Sequence, residues 1–363
     1  MPAFPEFRET RCVRYRYRYS GCRRCADACP HDAVRLSDEG ITIEEARCQN
    51  CALCAAACRT EALVAANLPR IELLKSAGGK PAHAFACTPS GVSGDALVPC
   101  LGALDAAMLA FLAKRGIAVE LRGSGHCGQC RHAPGGPERL ALNLDGLEIL
   151  RRVFDSENAW AAVTLAAGED AAAGAPEAGR AARRQLFRRF IGKGVDRLSG
   201  ATPDRPTPTA PAKAIRAAAP FATVGRDLLQ TLGRDDSPSQ GELPSHPALP
   251  LGKLHLGDGC TTCEACARVC PTGALQLRES PVRWELAFRF SRCTACGVCV
   301  EVCQPGVLRF TDSMDPAGSE AVTLHSLPKR RCARCDRFFV TAGSAELCPV
   351  CESDDADFLS IFG

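Results

Sequence analysis

Cysteines, and the gaps between them, constrain this chain more than any other feature. Cys260, Cys263, Cys266 and Cys270 are followed by Pro271, and the same C-x2-C-x2-C-x3-C spacing returns at Cys293, Cys296, Cys299 and Cys303. Near the other end Cys48, Cys51, Cys54 and Cys58 form a complete run. Cys22, Cys25 and Cys29-Pro30 form another whose first position is Tyr19. The tails of the runs also match: CPHDAV, CRTEAL, CPTGAL and CQPGVL. Two-residue gaps let successive cysteines of a tight loop point toward one small object and turn backbone N–H groups the same way. The rival reading, a disulfide framework, needs an oxidising compartment. MPAFPEFRET has neither an apolar signal core nor a cleavage site, and no apolar run is long enough to span a membrane. The expectation is a cytoplasmic chain whose reduced thiols bind metal.

The pattern resembles the two-cluster bacterial-type ferredoxins and polyferredoxins, and it occurs twice. The resemblance implies two βαββαβ-type modules, each holding two 4Fe–4S clusters, in which the fourth cysteine of one run ligates the cluster of the other. Carried onto this sequence, Cys260, Cys263, Cys266 and Cys303 hold one cluster, and Cys293, Cys296, Cys299 and Cys270 its neighbour. Cys48, Cys51, Cys54 and Cys29 hold a third. Cys22, Cys25 and Cys58 are then one ligand short. Cys12 is the unassigned cysteine nearby, and it completes the fourth cluster unless that site is a three-iron cluster or carries a labile iron. Between them Tyr15, Tyr17 and Tyr19 alternate with Arg14, Arg16 and Arg18, the period of a strand that could return Cys12 to the site.

Composition sets the remaining bounds. The chain has 363 residues, room for two or three domains, yet only 6% aromatics against 24 cysteines. Metal ligation must supply stability that small cores cannot. A formal charge of +3 gives no overall reason to expect nucleic acid. Local basic clusters, Arg8 to Arg24 around the first run and another near position 185, could steer an acidic redox partner or form solvated surface.

Residues 80–156 read as a small α/β domain. Strands are expected at 82–87, 96–100 and 117–123, and helices at 104–116 and 137–154, an alternation that favours a parallel sheet. Cys87, Cys100, Cys127 and Cys130 fall at or beyond the C-terminal ends of these strands, where open α/β sheets place their sites. Cys87, PCLGALD and GHCGQCRH resemble the delta subunit of methyl-viologen-reducing hydrogenase and the related domain of heterodisulfide-reductase complexes. That resemblance implies a 2Fe–2S centre, although a single cysteine stands at 87 where the family often has a pair. Zinc or a redox-active dithiol stay open, with His126 and His132 as substitute ligands or plain loop residues.

Residues 168–258 turn to Ala, Pro, Gly and Ser and are expected to act as a tether. They include a basic helix at 180–198, which packs on its own chain or meets a partner or membrane surface, and a shorter helix at 225–233. At the end, Cys332, Cys335, Cys348 and Cys351 have zinc-ribbon spacing. They also resemble rubredoxin at the CPVC turn, but Asp336 and Glu352 stand where rubredoxin commonly has glycine, so zinc is expected in place of iron.

The expected fold is a multidomain α+β chain with these parts: a 2×4Fe–4S module at 8–68, the α/β domain, the tether, a second module at 259–312 and a zinc ribbon at 325–356. With no Ser/His/Asp constellation and no phosphate- or dinucleotide-binding glycine loop, the expected function is electron relay between partners of a redox complex. Those partners would belong to a hydrogenase, a formate dehydrogenase or a heterodisulfide-reductase-like system. The alternatives are an oxidoreductase that uses the irregular cluster or a dithiol, and a redox sensor that binds nucleic acid.

Overall fold

The computed structural model describes residues 4–154, 160–166, 214–233, 241–314 and 321–353. The two cysteine-run regions share one plan. In the first, Glu6–Phe7 pairs antiparallel with Leu63–Val64, and Val34–Ser37 forms a hairpin with Gly40–Ile43. In the second, Leu254–Leu256 pairs with Leu308–Phe310, and Leu275–Glu279 with Arg283–Arg289. The connecting helices Arg24–Asp27, Leu53–Ala57, Ala265–Val269 and Val298–Glu301 have only four or five residues each. Helices this short do not persist on their own propensity, so what surrounds them must hold them.

The second region grows outward from its hairpin. Arg283–Arg289 also pairs with the long strand Ala321–Arg331, whose far end pairs with Phe338–Val340. This four-stranded antiparallel sheet carries the C-terminal cysteines at its tip. Its inner face buries Trp284, Leu286 and Phe288, which alternate along Arg283–Arg289 as a one-sided strand requires.

The middle region is a parallel sheet of four strands in the order Ala96–Val98, Ala82–Cys87, Ala118–Arg122, Val163–Leu165. The fourth strand had no counterpart in the sequence reading. Helices Ala106–Lys114 and Gly135–Phe154 cover it, and Asp105 caps the first by accepting from Met108 N at 3.0 Å. Asn143, fully buried on the second helix, donates to the carbonyls of Gly102 and Leu104 and ties that helix to the loop after Cys100.

One continuous core runs through all three regions and includes Leu53, Phe85, Leu109, Leu229, Leu286 and Phe288. Leu229 belongs to helix Val224–Leu232, which lies against Ala106–Lys114. Glu61 fixes the start of that helix. Its carboxylate accepts from Val224 N at 3.0 Å and Gly225 N at 2.9 Å and pairs with Arg70 at 2.7 Å. The tether expected over 168–258 is therefore folded at 214–233 and 241–258. Leu228, Leu229, Leu232, Leu243, Leu249 and Leu251 are buried there, enough apolar surface to hold a chain that looked too polar on average. The basic helix expected at 180–198 lies outside the described residues.

The strand expected from the Tyr/Arg alternation is replaced by a helical turn, Val13–Arg16, with Arg16 N bonded to Cys12 O at 3.1 Å. The turn puts Val13 and Arg16 on one buried side, whereas a strand would have kept all three arginines together. Tyr17 retains a single bridge to Ile215.

Gly102 is where the middle region meets the first cysteine-run region. A Cβ there would lie 2.3 Å from Gly136 O and 3.2 Å from Leu53 Cδ2. Gly102→Ala is expected to destabilise the chain by about 1–3 kcal/mol. Thermal unfolding should show the midpoint lowered by several degrees, and an unchanged midpoint would contradict this docking.

Candidate metal centres

The three complete runs bend in the same way. The residue before the second cysteine and the residue after it both have positive φ: Asn50 and Ala52, Thr262 and Glu264, Ala295 and Gly297. This pair of left-handed residues turns successive N–H groups toward the inside of the loop, a backbone nest suited to an anionic group. In the run begun by Tyr19 the corresponding positions are Gly21 and Arg23, and neither is left-handed. All four tails share a second device. The third residue after the last cysteine, Asp32, Glu61, Gly273 or Gly306, also has positive φ. It lets the next N–H fold back on the sulfur: Ala33 N lies 3.4 Å from Cys29 Sγ, and Ala62 N 3.3 Å from Cys58 Sγ.

These turns gather the cysteines across runs. Cys12, Cys22, Cys25 and Cys58 line one apolar cavity together with Phe7, Val13 and Leu63. Cys12 is buried, its place set by the helical turn that follows it. The tyrosines do not line that cavity, and Tyr19 is two-thirds exposed. Cys260, Cys263, Cys266 and Cys303 line a second cavity beneath Trp284 and Leu308, with Cys263 at the surface. Cys51 and Cys54 feel the charge of both Cys29 and Cys48, and Cys293, Cys296 and Cys299 all feel Cys270.

Burial is the main influence on these thiols. It pushes Cys25, Cys266, Cys293 and Cys296 up to about 12 and Cys51 to about 11, with Cys54 and Cys299 also raised. Neighbouring thiols add repulsion between thiolates. A group of buried anions so crowded is tolerable only around a cation, which fits the donor set to a metal cluster.

In the middle region Cys87 ends its strand, Cys100 follows Val98 by two residues, and Cys127 and Cys130 sit on and just beyond the 3-10 helix Ser124–Gln129. Cys100, pushed up to about 12 by burial, feels Cys87, Cys51 and Cys127. His126 is half-buried on that 3-10 helix. His132 is buried, and its Nδ1 meets His31 Nε2 at 2.9 Å, with Cys51 close by. Burial first, then His31 and Arg131, hold His132 near 4, so this pair is a neutral hydrogen-bonded contact between regions. It passed unseen because its members are 101 residues apart.

Cys332, Cys335, Cys348 and Cys351 converge most tightly. Their sulfurs all lie within 4.8 Å of one another, with Cys335 and Cys348 Sγ at 3.8 Å. That is the edge of a tetrahedron around one ion with metal–sulfur bonds of about 2.3 Å. Cys348 N donates to Cys332 Sγ at 3.3 Å and, with the Cys335 and Arg334 amides, draws that thiol toward its thiolate.

The quartets lie in sequence through the molecule. Cys100 feels Cys51, Cys54 feels Cys25, Cys296 feels Cys22 and Cys299 feels Cys266. Cys296 also lines the cavity of the Cys12 quartet, joining regions more than two hundred residues apart in sequence. Arg59 makes this junction, donating to Ala295 O at 2.7 Å and to the carbonyls of His246 and Pro247. The only hint in the sequence was that Arg59 takes the place proline has after Cys29 and Cys270.

The two cysteine-run regions fit ferredoxin-like 4Fe–4S domains. Residues 20–62 and 259–307 each match the 4Fe-4S dicluster domain family, and the first match begins after Cys12. No curated protein matches the chain. Among the described residues, no helix is long and apolar enough to cross a membrane.

The raised thiol values give a pH dependence. A raised pKa means the proton is held more tightly, so at neutral pH each such cysteine must release a proton to bind metal. Cluster assembly at fixed iron and sulfide is expected to fall steadily from pH 8.5 to pH 6.5, read as iron retained after desalting. Assembly that improves on acidification would contradict the burial of these thiols.

Proposed function

We propose that this chain is a cytoplasmic polyferredoxin-like relay. In this reading four 4Fe–4S clusters are held by the quartets of Cys12, Cys22, Cys25 and Cys58; Cys29, Cys48, Cys51 and Cys54; Cys270, Cys293, Cys296 and Cys299; and Cys260, Cys263, Cys266 and Cys303. Cys87, Cys100, Cys127 and Cys130 hold a 2Fe–2S centre, and the C-terminal knuckles hold zinc. The observation that carries the reading is the unbroken order of neighbouring quartets from Cys100 to Cys266. When bound, such clusters accept and release single electrons without rearranging their ligands.

The chain's own residues supply the rest of the mechanism. Inward-turned N–H groups and thiolates fix each site, and Val13, Val269, Val298 and Val302 keep water from the junction of the two modules. Both ends reach the surface, at Cys263 and at half-buried Cys127 and Cys130, where partners could dock. The middle end is the candidate contact for a hydrogenase, formate dehydrogenase or heterodisulfide-reductase-like partner. Cys12, buried in the same cavity as Cys22, Cys25 and Cys58, supports a fully ligated conducting site over one with an open, catalytic iron. Zinc carries no redox chemistry, so the knuckles would stabilise or dock.

Anaerobically assembled protein is expected to contain about 18 iron and about one zinc per chain. It should take up about five electrons in a reductive titration. Cys12→Ser should alter the signal of one cluster and leave the others unchanged. A count near 16 iron would remove the middle cluster, and a count near 12 would also unseat Cys12.

A further inference from the structure

Three arginines around the second module, two of them buried and Arg59 half-buried, have no acidic partner among the described residues. Arg16 is fully buried and donates to the carbonyls of Thr10, Ala218, Ala219 and Cys270, at 2.7–3.5 Å. Arg59 donates only to the carbonyls of Ala295, His246 and Pro247, and its Nε has no partner. Arg226, 5% exposed, donates to Phe290 O at 2.8 Å, stacks over the Phe290 ring, and also leaves Nε unpaired. Among the described residues none of the three has a carboxylate within 4.0 Å, whereas the half-buried Arg70 pairs with both Glu61 and Asp105. A buried cation left this way is unfavourable unless another anion compensates it.

With the cluster proposed above in place, the compensating anions are sulfurs of one quartet. Arg16 is attracted by Cys270 and Cys296, Arg59 by Cys296 and Cys293, and Arg226 by Cys293 and then Asp227. Position agrees with this: Arg16 donates to Cys270 O, Arg59 to the carbonyl of Ala295 beside Cys296, and Arg226 to Phe290 O, which also accepts from Cys293 N at 3.0 Å. A guanidinium keeps its charge in a protein interior, so all three are cations. The contrast with the other complete runs is clear. Cys48, Cys51, Cys54 and Cys266 respond to burial, to neighbouring thiols and to backbone amides.

We propose that Arg16, Arg59 and Arg226 are positioning charges that make the Cys270, Cys293, Cys296 and Cys299 cluster the most easily reduced of the series, an electron reservoir at the junction of the two modules. The inference rests on the ligand assignment proposed above. A four-thiolate cluster is anionic when oxidised and more so when reduced, so fixed cations favour the reduced form. Burial acts in the opposite direction, but its penalty is spread over a large cluster, while three guanidinium groups aim point charges at individual sulfurs. Electrons arriving from either end would then collect at this site, ready for a partner that takes them in pairs or in quick succession.

The test is an EPR-monitored redox titration of the full chain, with Cys299→Ser assigning the signal of the inner cluster. In the unaltered protein the signal that appears first as the potential falls should be the one Cys299→Ser changes. Arg226→Met and Arg16→Met should each lower that midpoint alone, by about tenfold in the reduction equilibrium, or about 59 mV for one electron, and Arg59→Met should lower it together with that of the Cys12 quartet, whose cavity Arg59 also lines. Arg226→Lys, which keeps the charge, should leave it near its original value. A purely structural arginine would not distinguish Lys from Met in this way. If another cluster is reduced first, or if the soluble variants shift every signal equally or none, the proposal is overturned. Should a Met variant fail to fold, the order of reduction in the unaltered protein still decides. Iron and sulfide content separates the two levels: full loading without a midpoint effect overturns only this inference, and iron lacking at this quartet overturns the ligand assignment beneath it.

Discussion

Four thiolates closing on one small object is the constraint that the rest of the structure obeys. Each complete loop must turn twice through left-handed backbone to aim its cysteines inward, and Ala52 and Glu264 accept that conformation despite carrying side chains. The helices that follow are cut to four or five residues because the fourth cysteine must reach across to the other run. Strands are correspondingly brief. Much of what secondary structure and an aromatic core provide in other small domains falls here to sulfur and whatever it binds.

The same constraint explains how separate modules come to share one interior. Loaded as proposed, the thiolate quartets are concentrations of negative charge, and the chain brings arginine to them from distant segments. Arg59 comes from the tail of the second run, Arg16 from the turn after Cys12, and Arg226 from the stretch between the modules. Carbonyls of Cys270, Ala295 and Phe290 in the second module, and of the segments at 218–219 and 246–247, take up their N–H groups. Charge and hydrogen bonding therefore fix the junction, while the valines around it exclude water.

Legibility in the sequence followed range. The cysteine spacing and the repeated tails were readable because they are local. So was the parallel sheet of the middle region, since each strand and helix announces itself by periodicity within a few residues. The turn at Val13–Arg16 was misread as a strand because alternating Tyr and Arg fits both, and only burial of Arg16 between modules decides it. Residues 214–233 and 241–258 looked like tether because their average composition is polar and Pro-rich, yet a few leucines and the Glu61 cap fold them onto the middle region. Arg59, Arg226 and the His31–His132 pair act through contacts more than sixty residues away in sequence, where no pattern within a segment reports them.

The central claim is that both modules and the middle region form one continuous series of redox sites, joined where Cys22 faces Cys296. Magnetic coupling between reduced clusters tests this most directly. EPR of the fully reduced chain should show broad interaction spectra that cannot be summed from isolated clusters. Part of that interaction should disappear in Cys296→Ser while the other signals persist. A fully reduced spectrum that is a simple sum of independent signals would contradict the account.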